Sequence, residues 1–153
     1  MTHSTSAVEA ITTGLAGAAA LTLLHESARH VIPHAPRVDV IGMRGIRRPI
    51  VSMGRTPPRG RDLYWMSLLG EVVSNAAFYS LVALGNPKHS VQRGAALGLA
   101  AGLGAAFLPP VMGLGNQPHR KAPYTQLMTI AWYTAGGLAA AAMARALGRR
   151  TRW

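Results

Sequence analysis

Four long stretches without a charged residue constrain this chain more than anything else in it: AITTGLAGAAALTLL near the start, the segment from Leu63 to Leu84 interrupted only by Glu71, the run from Gly94 to Leu114, and the run from Pro123 to Ala144. A helix must advance about 30 Å to cross the hydrocarbon of a bilayer, which takes about 20 mostly apolar residues at about 1.5 Å each. Backbone amides have no water to bond there, so a spanning segment has to satisfy them internally. The pattern therefore predicts an all-α integral membrane bundle of four transmembrane helices, forming one domain over residues 1–153.

The expected spans run from about Ala7 to Ala28, Leu63 to Leu84, Val91 to Phe107 and Pro123 to Leu147. Ser6 and Glu9 have the spacing of a capping box at the start of the first. Asp62 is placed to cap the second, and Gly85-Asn86-Pro87 to stop it. The third meets Pro109-Pro110, where two amide donors are lost and ring clashes predict a break. Pro123 suits the first turn of the fourth, and Arg149-Arg150-Thr151-Arg152-Trp153 reads as an interfacial anchor.

Between the first two spans lies a long connection, Arg29 to Asp62, with eight Arg and five Pro. Prolines at that density argue against a long helix, so the segment is expected as an Arg/Pro-rich interfacial loop whose middle, VDVIGMRGIRRPIVSMG, forms a hairpin or packs on a partner.

The formal charge of +11 raises nucleic-acid binding, but no helix carries a basic face interleaved with aromatics, and the basic residues flank apolar spans. They are read as lying on membrane lipid headgroups, with no nucleic acid as partner. Ten of the sixteen Lys and Arg fall on the side of the long loop when the spans are counted off, which favours that loop in the cytoplasm of a bacterial inner membrane. With no Cys, disulfides and paired-thiol redox chemistry are excluded.

Two features stand out inside the spans. Gly94, Gly98, Gly102 and Ala106 recur every fourth residue on one face of the third helix, a helix-packing row of the kind that lets backbones approach closely where lipid supplies no hydrophobic drive. Shorter rows occur at Gly14, Ala18 and Thr22, and at Gly136, Ala140 and Ala144. The row serves either the bundle itself or a partner subunit, a second copy, or a flat ligand.

Glu71 lies about 12 Å into the second helix, and Ser67 and Asn75, one turn to either side, make a polar stripe with it. A carboxyl at that depth is expensive, so it should face the interior and be protonated or paired. His25 and Glu26 mark the end of the first helix, with Arg29 or His30 as the expected partner of Glu26. His25 and His30 are five apart and do not share the helical face that a zinc-protease motif needs. Neither a metal nor another cofactor is expected. Gln126, Thr129 and Tyr133 could reach Glu71 if the second and fourth spans are neighbours.

No phosphate-binding glycine loop, nucleophile elbow or water-accessible acidic pair is present in the sequence. The leading reading is a non-catalytic accessory or structural membrane subunit that packs against other subunits or forms a homo-oligomer. The alternative is a small proton- or cation-coupled transporter or channel with Glu71 as its titrating group.

Overall fold

The computed structural model describes residues 6–118 and 123–150. Among the described residues the α-helices are α1 (Ala7–Val31), α2 (Val38–Ser52), α3 (Gly60–Ser80), α4 (Ser90–Val111) and α5 (Pro123–Arg150). All but α2 are long and apolar enough to cross a membrane, and the chain is a multi-pass helical membrane bundle. The last three residues of the expected anchor, Thr151 to Trp153, lie outside the described residues.

The spanning helices stand in the spatial order α3, α1, α5, α4, each packed on the next. The ends of this row, α3 and α4, scarcely touch. The bundle is thus a crescent with an open seam. A core of Leu21, Tyr79, Val82, Tyr133, Ala140, Ala141 and Ala144 fills its interior, while large apolar side chains such as Val8, Leu23, Leu69, Val73, Leu103 and Leu127 face outward. An exterior of that kind suits lipid, where burying such groups gains little.

The α4/α5 contact carries the row predicted from sequence. Gly94, Gly98, Gly102 and Ala106 are all buried. A Cβ built on Gly98 would lie 2.7 Å from Thr134 Cα, and one on Gly102 2.7 Å from Ile130 Cα. At Gly94 it would overlap the Gly137 carbonyl. The other rows are used in the same way, Gly14 against the α3 backbone at Ala76 and Gly17 against Gly136 and Ala140. All three faces are spent inside the bundle, so they offer no smooth surface to a partner.

Local signals explain most helix ends. At α1 the Glu9 amide donates to Ser6 Oγ at 3.2 Å and the Ser6 amide to Glu9 Oε2 at 3.0 Å, the reciprocal capping box. α3 begins two residues before the expected Asp62 cap, which falls instead in the first turn. It ends at Ser80 in a tight turn over Leu81–Ala83, and Arg93 donates to the Val82 carbonyl through Nε at 3.2 Å and Nη2 at 3.0 Å.

Two expectations are corrected. The segment between the first two spans is not a loop or hairpin throughout, because it contains the fifteen-residue helix α2. Its prolines bracket the helix instead of interrupting it: Pro33 and Pro36 precede it, Pro57 and Pro58 follow it, and Pro49 sits in its last turns. The third span is not broken at Pro109-Pro110 either; α4 runs through both to Val111. The carbonyl that Pro109 leaves without its usual donor belongs to Ala105, and the Gln117 side-chain amide donates to it at 3.1 Å. Beyond the prolines the Met112 and Leu114 amides still close on Leu108 and Pro109 carbonyls, and Gly113, at a φ of 72°, turns the chain away.

Gly98→Leu is expected to lower the melting temperature in detergent by forcing α4 off α5, at a cost of about 1–3 kcal/mol. Gly70→Leu, at a position whose Cβ meets nothing within 4 Å, is expected to leave it within about 0.5 kcal/mol. Equal melting temperatures for the two variants would contradict the packing described.

Candidate intramembrane polar site

Glu71 lies eleven residues into α3, about 16 Å along the helix at about 1.5 Å per residue. Its Oε1 is 3.1 Å from His25 Nδ1 on α1, with the two side chains 13% and 7% exposed. The long helices fix this meeting: α1 and α3 pack side by side, and each residue projects from the face turned to the other. A proton on His25 Nδ1 donates to Glu71, or one on Glu71 donates to the imidazole. Either arrangement satisfies the pair in a medium where an unpaired carboxylate is costly.

Aromatic edges hold the imidazole. Trp132 and Tyr133 of α5 stand with ring centroids 5.4 Å and 5.6 Å from that of His25, both edge-on. The other ring nitrogen, Nε2, is buried without a hydrogen-bond partner among the described residues. Tyr133 also lines the cleft shared with Glu71 and Asn75 of α3. Glu71, Asn75, His25 and Tyr133 thus form one assembly drawn from three helices. Thr129 bonds its own helix at Thr125 O instead.

The polar stripe of α3 faces the open seam. Ser67, Gly70, Glu71, Ser74 and Asn75 line one wall of a half-open cleft of about 300 Å³. Ala105, Pro109 and Gln117, Tyr133 of α5, and Val38, Ile41, Gly42 and Ile46 of α2 complete the lining. α2 is pinned across the opening at both ends. Ser67 Oγ lies 3.5 Å from Asp39 O, while Arg44 donates to the Leu114 and Asn116 carbonyls at 3.1 Å and 2.8 Å, and Arg48 to that of Met112. These guanidinium groups also complement the negative end of the α4 dipole.

His25 and Glu26, adjacent in sequence, belong to different clusters. Glu26 pairs with Arg29 at 2.7 Å and accepts from the Tyr64 hydroxyl at 2.8 Å. Arg29 stacks over the Tyr64 ring at 5.0 Å and lies 3.6 Å from Asp39. This second cluster ties the end of α1 to the starts of α2 and α3. Within it Arg37 clamps Asp39 with two hydrogen bonds of 2.9 Å and 2.8 Å. Burial alone works against an ionised Asp39, but the Arg37 fork, the Val40 amide and the charge of Arg29 outweigh it and hold the carboxyl below the ordinary carboxylate range.

The residue that sequence reasoning passed over is Gln117. It is 8% exposed, with its amide nitrogen on Ala105 O and its Oε1 buried and unpaired among the described residues. The proline at position 109 carries the signal that could have found it, because a helix that continues through proline needs an outside donor four residues back.

Among the described residues no group of three His, Asp or Glu side chains is close enough to hold a metal ion. Fold and site together define a small four-span membrane bundle with a carboxyl–imidazole pair beside an open cleft. Comparison with family models, curated proteins and solved structures finds no match.

The lowered Asp39 pKa sets a sign for acid stability. Its contribution is fully present above the unfolded value, roughly 3.9, and is lost as pH falls through the depressed folded value. Thermal melts between neutral pH and about pH 3 should therefore show Asp39→Asn less stable than the unmodified protein at neutral pH, with the gap narrowing in acid. A gap that is constant with pH would contradict the assignment.

Proposed function

We propose that this chain is a non-catalytic accessory or structural subunit of a bacterial inner membrane, seated among other membrane subunits or copies of itself. The observation that carries the reading is how its charges are used. Glu26, Asp39 and Glu71 are each engaged by a residue of another segment or turn, and Arg44, Arg48 and Arg93 each hold backbone carbonyls at a helix end. Such ties define a shape. The outer faces of the helices are left apolar and available for lipid or for a neighbouring subunit.

The distribution of basic residues supports an orientation with α2 and the α4–α5 turn in the cytoplasm. Contact with partners then falls to the broad outer faces, and among the spans α3 is the least covered by the others. Because the chain has no Cys, single cysteines at Leu69 and Val73 allow clean cross-linking in native membranes. A defined adduct from these sites, absent with cysteine at Leu127 on α5, is the expected result. A protein that forms no adduct from any outer face and runs as a monomer in mild detergent would sink the proposal.

A second reading, proton- or cation-coupled transport, is favoured by one observation: Glu71 stands near mid-span on the wall of an open cleft, paired to a buried histidine. It predicts a pH-dependent flux into proteoliposomes that Glu71→Gln abolishes. A flux unchanged by Glu71→Gln, or no flux from the unmodified protein, removes this reading.

A further inference from the structure

The cleft between α3 and α4 has the features of a binding site, independently of how the protein associates with others. At about 300 Å³ it stands at the small end of the range for ligand pockets. It admits a headgroup or a single ring with a short chain, and is far too small for a helix. Its open side runs past Gly70 and Ser74, both exposed, and Gly70 leaves empty space where a side chain would stand. A larger residue there has room at its Cβ and would occupy the cleft.

The chemistry of the walls narrows the occupant. Gln117 is more than nine-tenths buried, lines the cleft, and has a buried Oε1 that meets no donor among the described residues. Its amide nitrogen is committed to Ala105 O, which settles the orientation of the side chain and leaves an acceptor free. Across the cleft Glu71 offers a second acceptor. A buried acceptor without a donor is destabilising, so the site is completed by a ligand that supplies hydrogen-bond donors.

Charge and access narrow it further. The cleft is lined by residues of the apolar spans α3, α4 and α5 together with apolar side chains of α2, so a ligand reaches it from among membrane-spanning helices. An ionised head entering by that route would meet the penalty for charge inside a bilayer, whereas a neutral hydroxyl would not. Glu71 already has His25 as its partner and does not call for a cation. Val38, Ile41, Ile46 and Ala105 provide an apolar lining for the remainder of the molecule.

We infer that the α3/α4 cleft binds a neutral, membrane-dissolved amphiphile whose hydroxyl head donates to Gln117 Oε1 and Glu71. Such a hydroxyl occurs on a phenolic ring or on an aliphatic lipid alcohol, and the two sources share the chemistry the site reads.

The full-length protein in phosphatidylcholine nanodiscs tests this with three probes: para-hexylphenol, its methyl ether para-hexylanisole, and octanol. Binding is followed by native mass spectrometry. Saturable binding of para-hexylphenol is expected, about tenfold tighter than the ether that lacks the donor, as one hydrogen bond supplies. Octanol binding as tightly as the phenol identifies an aliphatic head, and octanol binding no better than the ether a ring-bearing one.

Gly70→Leu is expected to weaken para-hexylphenol at least about tenfold by filling the cleft, with an unchanged helical circular dichroism spectrum. Gln117→Leu is expected to reduce the preference for phenol over ether to within about twofold, since the acceptor is gone. Should that variant fail to fold, Gly70→Leu decides alone. Equal affinity for phenol and ether in the unmodified protein, no saturable phenol binding, or binding unaffected by Gly70→Leu would each overturn the inference.

Discussion

The whole arrangement depends on how closely α4 approaches α5. Where Gly94, Gly98 and Gly102 face Gly137, Thr134 and Ile130, no Cβ fits between the backbones, and the two helices meet over most of their length. Lipid is as apolar as the side chains that face it, so association must come from dispersion between surfaces that fit. This contact, with its counterpart of Gly14 and Gly17 on α1, makes a slab of α1, α5 and α4. α3 is added to the slab at one edge only. The open seam and the cleft beside Glu71 follow from that asymmetry.

Polar groups play a different part at each depth. At mid-span one pair, His25 with Glu71, joins α1 to α3 and is flanked by the rings of Trp132 and Tyr133. At the α2 end a wider network of Glu26, Arg29, Tyr64, Asp39 and Arg37 gathers three helix termini. The aromatic and guanidinium groups there can reach water while their stems remain among apolar neighbours. α2 is fastened to α3 at its start and to the end of α4 by Arg44 and Arg48.

The spans could be read from the sequence because their length and lack of charge leave the backbone one way to satisfy itself. The inward placement of Glu71 was legible for the same reason, since a carboxyl exposed to hydrocarbon at that depth is too costly. Its partner was not: His25 and Glu71 are 46 residues apart, and nothing in either helix says which neighbour it packs against. α2 was missed because prolines were weighed by their density. Only their positions matter, and Pro33, Pro36, Pro57 and Pro58 fall outside the helix. The unbroken α4 was missed because the donor that replaces the lost amide comes from Gln117, beyond the helix end. The glycine row was visible as a row, but which helix it would meet depends on the spatial order of the spans, which periodicity does not carry.

The pairing of His25 with Glu71 also bears on how such a chain enters the membrane. Spans emerge in order, so the helix carrying Glu71 arrives when α1 is already in place and α4 and α5 are still to come. A carboxyl on a lone span would face lipid, but here the imidazole that receives it precedes it in the chain. α1 and α3 can therefore settle as a hairpin with α2 as its connection, and the last two helices, bound to each other by their glycine faces, then close over its polar side. In that order of events no membrane-embedded acid has to wait for its partner.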